Sequence, residues 1–366
     1  MTKWNSRCRF FNEKYACDTL TSEGYKSCEE CKFSSPHSKK ILIIKLGAMG
    51  DVLRTTPILE ALKKKYGDEA LIYWFTMLES KELLENNPHI DKLLTYNPEN
   101  ILRIQQEKFD ILFSLEITTP ATLLANIVQA EEKYGYYFDN AATSCFNVGS
   151  EEYLETAFLH NVKLSNRKTY QQLIFQACHL EYNGEEMVFH ATTKDKQYAN
   201  NFRKMNNLSD SDKLIGINFS AGERWPSKAI SNEKLKELIN GLNKNYKVLL
   251  LGGPEERGKI PELINELKST GIVVTSNNPD NTVGEFAAVI NLCEKVVTTD
   301  SLALHLSLLL KKPTVALFYS TPPWEIEDYG IAKKLVSPLL EKYFFSMKYS
   351  EELAGSISAQ EILNNL

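Results

Sequence analysis

Two series of short apolar runs, separated by amphipathic stretches, constrain the fold of this chain more than any other feature. The first series contains ILIIKL, ALIYWFT, DKLLTY and DILFSLE. The second contains LIGINFS, KVLLLGG, GIVVTS, KVVTTD and TVALF. Apolar runs that lack a two-residue alternation are typical of parallel strands that are covered on both faces by helices. The pattern therefore predicts an α/β fold with two doubly wound, Rossmann-like domains.

The length of 366 residues is sufficient for two such domains and a small additional module. We predict a Cys-rich leader at 1–38, an N-terminal Rossmann-like domain at 39–195, a C-terminal Rossmann-like domain at 196–335 and a C-terminal helical segment at 336–366. Between residues 140 and 195, the stretches EEYLETAFLHNVKL and TYQQLIFQACHLEY indicate helices that connect the two series.

The charge and hydrophobicity of the chain argue against several classes of protein. A formal net charge of −5 is not that of a nucleic-acid binder, which would usually carry a basic excess. The first residues lack the apolar core of a secretory signal. The longest apolar stretch, SLALHLSLLL, is interrupted by His305 and is too short to span a bilayer, so it indicates a buried helix. We expect a cytoplasmic protein without a transmembrane segment, whose association with a membrane, if any, is peripheral.

The stretch KLGAMGDVLRTTP continues the first apolar run and contains Gly47, Gly50 and Asp51. Such a turn brings backbone N–H groups and one carboxylate to the carboxyl end of a strand, where open α/β sheets bind their ligands. Thr56 and Pro57 have the pattern of an N-cap followed by a proline at the first helical position, which predicts two short helices after Gly50. From the residues alone, Asp51 either acts on a ligand or caps a helix.

The stretch VVTTDSLALHL is the strongest candidate site in the second series. Asp300 and Ser301 come where a strand ends and a helix begins, and His305 lies four residues after Ser301 on the same helix face. A strand end, a helix N-terminus and a nearby imidazole predict an anion site that suits a phosphate. The alternative is an ordinary N-cap, since Asp and Ser are favoured there.

Two further turns follow strands of the second series. The turn in INFSAGERWPSK offers a hydroxyl, a glycine for a tight turn and two cations that could neutralise a diphosphate, namely Ser220, Gly222, Arg224 and Lys228. A basic pair on the surface is the alternative. The turn in LLLGGPEERGK is a weaker phosphate or nucleotide signal, carried by Gly252, Gly253 and Glu255. No G-x-G-x-x-G follows a strand and no G-x-x-x-x-G-K-[ST] occurs, so the common dinucleotide and P-loop motifs are not supported.

In this order, these segments resemble glycosyltransferase family 9, the lipopolysaccharide heptosyltransferase family. IIKLGAMGDVLRTTPILEALK resembles the amino-terminal signature of the family, and GERWPSK is similar to its second-domain loop. TTDSLALHLSLLLKKPTVALFYSTPPWEIEDYG is similar to its D-[ST]-G-x-x-H segment and the strand that follows. The resemblance runs from about Ile41 to Gly330.

The resemblance implies a GT-B architecture, in which two Rossmann-like domains face a cleft, with the acceptor on the first domain and the nucleotide-sugar on the second. It implies transfer with inversion at the anomeric carbon and without a catalytic metal. Asp51 would be the general base, while Lys228 and the helix N-terminus at Asp300 and Ser301 would hold the diphosphate leaving group. Glu255 would accept hydrogen bonds from the ribose, unless it is only a residue of a solvated turn.

The favoured reaction moves a heptose from ADP-heptose to a saccharide acceptor such as the lipopolysaccharide core. One alternative is a transferase of the same fold that uses a UDP- or GDP-sugar, or a protein or small-molecule acceptor. The other is a non-catalytic module that binds a nucleotide or a glycan. The presence of Asp51, Lys228 and Asp300 together favours an enzyme.

Four of the seven cysteines crowd the leader in the pattern C-x8-C…C-x2-C, at Cys8, Cys17, Cys28 and Cys31. The close C-x2-C pair has the spacing of tetrahedral thiolate sites, and so short a leader has little core of its own. The pattern predicts a closed structural metal site, with zinc as the first choice, iron or an iron–sulfur cluster as the second, and free thiols as the last. The remaining cysteines are scattered and are expected to be buried apolar residues, namely Cys145, Cys178 and Cys293.

Overall fold

The computed structural model describes residues 4–5, 8–11, 15–34 and 38–366, so parts of the predicted leader lie outside the described residues. The chain divides into two compact units. Unit 1 comprises Met1–His160 and Gln171–Glu185, and unit 2 comprises Asn161–Tyr170 and Glu186–Leu366. The segment Asn161–Tyr170 therefore belongs to unit 2, although the residues on both sides of it belong to unit 1. The domain boundaries expected from the sequence stay predictions.

The sheet of unit 1 has the strand order β3-β2-β1-β4-β5-β6. The strands are β1 Lys40–Ile44, β2 Leu71–Thr76, β3 Lys92–Thr95, β4 Lys108–Ser114, β5 Gln129–Asp139 and β6 Ala142–Cys145. Strands β1 to β5 pair in parallel, and β6 is antiparallel to β5. The first four strands confirm the predicted apolar runs. Strands β5 and β6 were not predicted, because their residues are mostly polar and only partly buried.

Helices α1 to α8 occur between residues 18 and 177. They are α1 Asp18–Glu23, α2 Met49–Thr55, α3 Ile58–Tyr66, α4 Pro98–Gln106, α5 Thr119–Ile127, α6 Glu151–Phe158, α7 His160–Ser165 and α8 Tyr170–Ala177. Helices α2 and α3 confirm the prediction of two short helices, but Pro57 and not Thr56 is the N-cap of α3. The Thr56 hydroxyl donates instead to the Leu53 carbonyl at 2.7 Å. Helices α6 to α8 confirm the helical stretches predicted between the two series.

The sheet of unit 2 has the strand order β12-β11-β10-β7-β8-β9, and every neighbouring pair is parallel. The strands are β7 Leu214–Asn218, β8 Lys247–Leu250, β9 Thr275–Ser276, β10 Lys295–Thr299, β11 Thr314–Phe318 and β12 Ala332–Val336. Each predicted run of the second series forms a strand. Only β12 lies outside the predicted runs, because its sequence AKKLV carries two lysines.

Apolar side chains of several unit 2 helices pack with those of the strands in a shared core. The remaining helices are α9 Thr193–Met205, α10 Asn232–Leu242, α11 Lys259–Ser269, α12 Val283–Ile290, α13 Leu302–Leu309, α14 Glu351–Ala354 and α15 Ala359–Asn364. Helix α13 confirms the buried helix predicted for SLALHLSLLL. No helix among the described residues is long and apolar enough to cross a membrane. Short 3₁₀ segments occur in both units, at Leu78–Leu83, Val148–Ser150, Pro226–Lys228, Pro254–Glu256 and Pro323–Glu325.

The C-terminal segment is only partly helical, in contrast to the helical segment predicted for 336–366. Strand β12 extends to Val336, and turns precede the short helices α14 and α15. The hydroxyls of Ser350 and Ser358 accept N–H groups at the start of each helix, and the chain turns at Gly355. These local caps divide the segment, while Leu353 and Ile362 still pack into the core of the unit.

The leader contacts the amino ends of the strands in unit 1. Arg9 Nη2 lies 2.7 Å from Asp91 Oδ1, and Arg9 Nη1 donates to the Asp68 carbonyl at 3.1 Å. A cavity of about 550 Å³ lies beside this contact and is lined in part by Cys8, Arg9, Lys40, Tyr73, Asp91 and Phe109. It lies at the edge of the sheet opposite to the predicted site, because a parallel sheet presents all its strand starts at one edge.

The strand orders place a topological switch point in each sheet. In unit 1 the chain proceeds outward from β1 in one direction and from β4 in the other, so the switch point lies between β1 and β4. In unit 2 it lies between β7 and β10 for the same reason. Ligands of open α/β sheets bind beyond the carboxyl ends of the strands at such points.

Candidate active site

Asp51 lies on the first turn of α2, directly beyond the carboxyl end of β1. The N-cap of α2 is Ala48. Asp51 is therefore not the N-cap residue, which was one of the two roles that the sequence allowed. Arg54 Nη2 donates to Asp51 Oδ1 at 2.6 Å, and the side chains are 12% and 32% exposed, respectively. The ion pair orients a carboxylate that solvent can still reach. Gly47 lies in the connection before the helix, and Gly50 lies within its first turn.

A buried ion pair, which the sequence analysis missed, lies at the same switch point. Lys45 Nζ is 2.9 Å from Glu116 Oε2, and both side chains are almost fully buried. Lys45 follows β1 and Glu116 follows β4, the two strands on either side of the switch point. A buried charge is stable only when it is paired, so this pair joins the end of β1, from which the Gly47–Asp51 turn departs, to the end of β4. The sequence signal was a lysine and a glutamate, each at the end of an apolar run.

Lys228 and Asp300 form an ion pair at the switch point of unit 2. Lys228 Nζ lies 2.7 Å from Asp300 Oδ2, and the side chains are 13% and 16% exposed. Lys228 also donates to the Asp300 carbonyl at 3.2 Å, and the Thr321 hydroxyl donates to Asp300 Oδ2 at 2.7 Å. Lys228 follows β7 in the chain and Asp300 follows β10, so the strand order brings together residues that are 72 positions apart.

Asp300 is held in its ionised form. Burial by itself would raise the pKa of its carboxyl, but the ammonium of Lys228, the charge of His305 and the hydrogen bond from Thr321 outweigh it. They hold the pKa of Asp300 well below its usual range. The carboxylate is therefore charged at neutral pH and orients the Lys228 ammonium. His305 lies on α13 and is 6% exposed.

Ser301 is the N-cap residue of α13, but its side chain makes no capping hydrogen bond. Its hydroxyl donates instead to Asn218 Oδ1 at 2.8 Å. Asn218 also accepts the Thr298 hydroxyl at 3.2 Å and donates to the Leu251 carbonyl at 3.0 Å. One amide thus links the ends of β7, β8 and β10. The sequence analysis missed Asn218, whose only signal is an amide in an otherwise apolar strand.

Ser220 and Gly253 both donate to Glu256, a buried carboxylate that the sequence analysis also missed. The Ser220 hydroxyl donates to Oε1, and the Gly253 N–H donates to Oε2 at 2.9 Å. Gly252 is clamped by Asn277, whose Oδ1 accepts the glycine N–H at 2.8 Å and whose Nδ2 donates to its carbonyl at 2.9 Å. These bonds hold the turns after β7 and β8 together.

Gly222 and Glu255 connect the same two turns. Gly222 has φ of +75°, which favours glycine, and a Cβ there would lie 2.0 Å from Glu255 Oε2. Glu255 accepts the backbone N–H of Glu223. Arg224 lies exposed on the same turn. The predicted role of Glu255 toward a ribose stays a prediction, as do the roles of the other candidate residues.

Unit 2 therefore gathers its predicted residues at the carboxyl ends of three adjacent strands, β10, β7 and β8. They are Ser220, Gly222, Arg224, Lys228, Gly252, Gly253, Glu255, Asp300, Ser301 and His305. Unit 1 presents Asp51 at the corresponding edge of its own sheet. Unit 2 thus provides a cation beside a helix N-terminus, and unit 1 provides a carboxylate, each at the edge of its own sheet.

The sequence model of glycosyltransferase family 9 (heptosyltransferase) matches residues 101–351, which is well over half of the chain. The chain belongs to glycosyltransferase family 9. It is a glycosyltransferase, as the sequence analysis expected. Lipooligosaccharide heptosyltransferase 2 of Campylobacter jejuni is 22% identical over 299 residues, which cover 76% of this chain and 82% of that protein.

Solved structures of family 9 enzymes have the same fold. A family 9 glycosyl transferase from Veillonella parvula superimposes with a TM-score of 0.71 at 19% identity, over 90% of this chain and 96% of the other. ADP-heptose lipopolysaccharide heptosyltransferase II of Escherichia coli gives a TM-score of 0.63 at 15% identity, over 89% and 97%. The α/β fold with two parallel-sheet, Rossmann-like units of the GT-B heptosyltransferases is thereby confirmed.

In the described part of the chain, no metal site is found at the cysteines of this family 9 enzyme. Among residues 4–5, 8–11, 15–34 and 38–366, no group of three or more His, Cys, Asp or Glu side chains is arranged to hold a metal ion. Cys8, Cys17, Cys28 and Cys31 are free and partly exposed. The predicted four-cysteine site, with zinc or iron, is therefore not supported by the structure.

Two of the three other cysteines are buried as expected, and the third is only half-buried. Cys178 and Cys293 are buried, and Cys145 is half-buried. Burial raises the pKa of the Cys293 thiol to about 12 and that of Cys145 to about 11, and it also raises the pKa of Cys178. These thiols are therefore protonated and poorly reactive at neutral pH.

Proposed function

We propose that this enzyme transfers a heptose from ADP-heptose to a saccharide acceptor of the lipopolysaccharide-core type, with inversion and without a catalytic metal. The observation that carries the proposal is the Lys228–Asp300 pair beside the N-terminus of α13, at the switch point of unit 2. Backbone N–H groups and an ammonium together suit a diphosphate. The heptosyltransferases of Campylobacter jejuni and Escherichia coli support heptose as the sugar. The Escherichia coli protein is an ADP-heptose heptosyltransferase, which supports ADP as the nucleotide.

In the proposed reaction, Asp51 accepts the proton of an acceptor hydroxyl. The hydroxyl oxygen forms a bond to the anomeric carbon from the face opposite to the diphosphate, and the bond between that carbon and the phosphate oxygen breaks. The electron pair leaves with ADP, so the anomeric configuration is inverted in one displacement. Lys228 and the N–H groups of α13 stabilise the charge that develops on the leaving group. Asp300 takes no part in proton transfer and orients Lys228.

The proposal assigns the acceptor to unit 1 and the donor to unit 2. Asp51 would act at the end of β1, and the nucleotide would lie across the ends of β10, β7 and β8. A cytoplasmic location and peripheral association with an acceptor-bearing membrane belong to the same proposal. The alternative donors are UDP- or GDP-sugars. The alternative acceptors are a protein or a small molecule.

The donor assignment can be tested by titrating the purified protein with ADP, UDP and GDP in buffer that contains a chelator. We expect ADP to bind at least about tenfold more tightly than UDP or GDP, a difference of about 1.4 kcal/mol. Isothermal calorimetry measures all three affinities under the same conditions. A preference for UDP or GDP would contradict ADP-heptose as the donor. Failure to bind ADP, UDP and GDP would favour a non-catalytic or glycan-binding module.

The metal site stays a prediction that rests on the spacing of the four leader cysteines. If it is correct, the purified protein contains roughly one zinc or iron ion per chain, bound by four thiolates. Joint Cys28→Ser and Cys31→Ser substitution should remove this metal, whereas Cys145→Ser should leave it in place. Elemental analysis by plasma mass spectrometry measures the ratio. A folded protein that contains no metal would contradict the prediction.

A further inference from the structure

The strand order of unit 2 indicates where the nucleoside, the diphosphate and the sugar of the proposed donor would bind along the sheet edge. The order is β12-β11-β10-β7-β8-β9, and the candidate diphosphate residues follow β7 and β10 in its centre. The turn that carries Gly252, Gly253 and Glu255 follows β8, on one side of this centre. If that turn contacts the ribose, the nucleoside extends toward β8 and β9. A diphosphate that runs along the sheet edge then carries the transferred sugar, at its other end, toward β11.

An aromatic pair lies on the β11 side, next to Lys228. The rings of Trp225 and Phe345 meet edge to face, with their centroids 5.5 Å apart and an interplanar angle of 85°. Lys228 Nζ lies 5.0 Å from the centroid of the Trp225 ring. Both rings are half-buried, so a part of each remains in contact with solvent. The aromatic pair therefore begins where the candidate diphosphate site ends.

Hydrogen bonds fasten this pair to the end of β11. The Phe345 N–H donates to the carbonyl of Ser320, which lies two residues beyond β11, at 2.8 Å. The hydroxyls of Ser227 and Ser320 are 2.8 Å apart, which joins the turn of Trp225 and Lys228 to the same point. These hydrogen bonds fix the segments of Trp225 and Phe345 beside the end of β11.

An ion pair lies beside the Phe345 ring. Lys163 Nζ lies 3.3 Å from Glu325 Oε1, and the side chains are 17% and 19% exposed. Lys163 Nζ also lies 4.2 Å from the centroid of the Phe345 ring. Lys163 comes from α7, in the Asn161–Tyr170 segment that belongs to unit 2. The two charges compensate each other, so the pair offers hydrogen-bond donors and acceptors without a net charge.

We propose that Trp225, Phe345, Lys163 and Glu325, the Trp225 cluster, form the subsite for the transferred sugar. This inference rests on the proposed function and names the residues that would select the sugar. Aromatic rings pack against the C–H groups of a sugar ring, and a compensated ion pair can bind its hydroxyls. Because Lys163 is paired with Glu325, the cluster offers no uncompensated cation to a second anionic group on the sugar. The chemistry therefore fits a neutral polyhydroxylated ring that is attached to a diphosphate.

The test compares the affinities of the variants for ADP and for ADP-heptose. We expect Glu325→Gln to weaken ADP-heptose binding by about tenfold, because a charged hydrogen-bond acceptor for the sugar is lost, while ADP affinity stays within about twofold. Trp225→Leu should give the same split by removing the aromatic face. The matched control is Glu352→Gln, which changes an exposed glutamate paired with Lys342 in the same unit and should affect neither ligand.

The outcomes separate the subsite from the transferase function. A selective loss of ADP-heptose affinity in both variants would support the subsite. Equal losses for ADP and ADP-heptose, or no loss for either, would overturn the subsite and leave the proposed transferase intact. If the unsubstituted protein bound neither ADP nor ADP-heptose, both the proposed donor and the proposed subsite would be contradicted. Calorimetry gives each dissociation constant, and the melting temperature of each variant shows that it is folded.

Discussion

Asp51→Asn is expected to lower kcat by roughly a hundredfold to ten-thousandfold, the usual contribution of a general base. The amide has nearly the shape of the carboxylate but cannot accept the proton of the acceptor hydroxyl. Because ADP is proposed to bind unit 2, its dissociation constant should remain within about twofold of that of the unsubstituted enzyme. The measurement is the initial rate of ADP release from ADP-heptose in the presence of a lipopolysaccharide-core acceptor.

Two controls separate the chemistry of Asp51 from its contact with Arg54. The first is Glu60→Gln, which removes an exposed carboxylate from the neighbouring helix α3 and should leave kcat unchanged. The second is the melting temperature, because Asp51→Asn also removes the charge that faces Arg54 at 2.6 Å. A variant that folds normally and turns over at the rate of the unsubstituted enzyme would rule out Asp51 as the base.

Lys228→Met should have the second large effect, and it acts on both activity and stability. Loss of the cation at the leaving group is expected to lower kcat by roughly a hundredfold to a thousandfold. The substitution also leaves Asp300 charged and mostly buried without its ammonium partner, which should lower the free energy of unfolding by about 3 kcal/mol. Denaturant titration at neutral pH measures the stability, and the ADP-release assay measures the activity.

The double variant Lys228→Met with Asp300→Asn distinguishes these two effects. Removal of both charges should restore most of the stability, because no unpaired ion remains, but it should not restore kcat. Recovery of activity in the double variant would make Lys228 a structural residue only. Since the pKa of Asp300 is depressed in the folded enzyme, its contribution to stability is complete above the pKa of the unfolded chain and is lost as the pH falls toward the folded value.

The predicted strands were correct where strands are buried on both faces. Strands β1 and β7 are buried along almost their whole length, and their sequences consist almost entirely of apolar residues. Strands β5 and β12 lie toward the outside of their sheets, where solvent reaches one side and charged residues are tolerated. Their backbones pair as regularly as those of the central strands, but their side chains carry no corresponding pattern. Strand pairing is a backbone interaction, and composition reports only burial.

The residues of the candidate site were also predicted only in part from the sequence. Polar residues directly after apolar runs, such as Asp51 and Asp300, are visible in the sequence because a parallel sheet exposes only its strand ends to a ligand. Glu256, by contrast, lies beside Glu255 in the chain, and the sequence offered no reason to prefer it. Only the approach of the turn after β7 makes Glu256 the buried acceptor for Ser220 and Gly253.

The sequence by itself therefore determined the fold class, the order of the central elements and the turns that carry the candidate chemistry, because these depend on local pattern and burial. The tertiary structure decided which of these residues are partners. Lys45 pairs with Glu116, and Lys228 with Asp300, across 71 and 72 positions of the chain. Such pairs form because the strand order places β1 beside β4 and β7 beside β10, and no local pattern encodes that order.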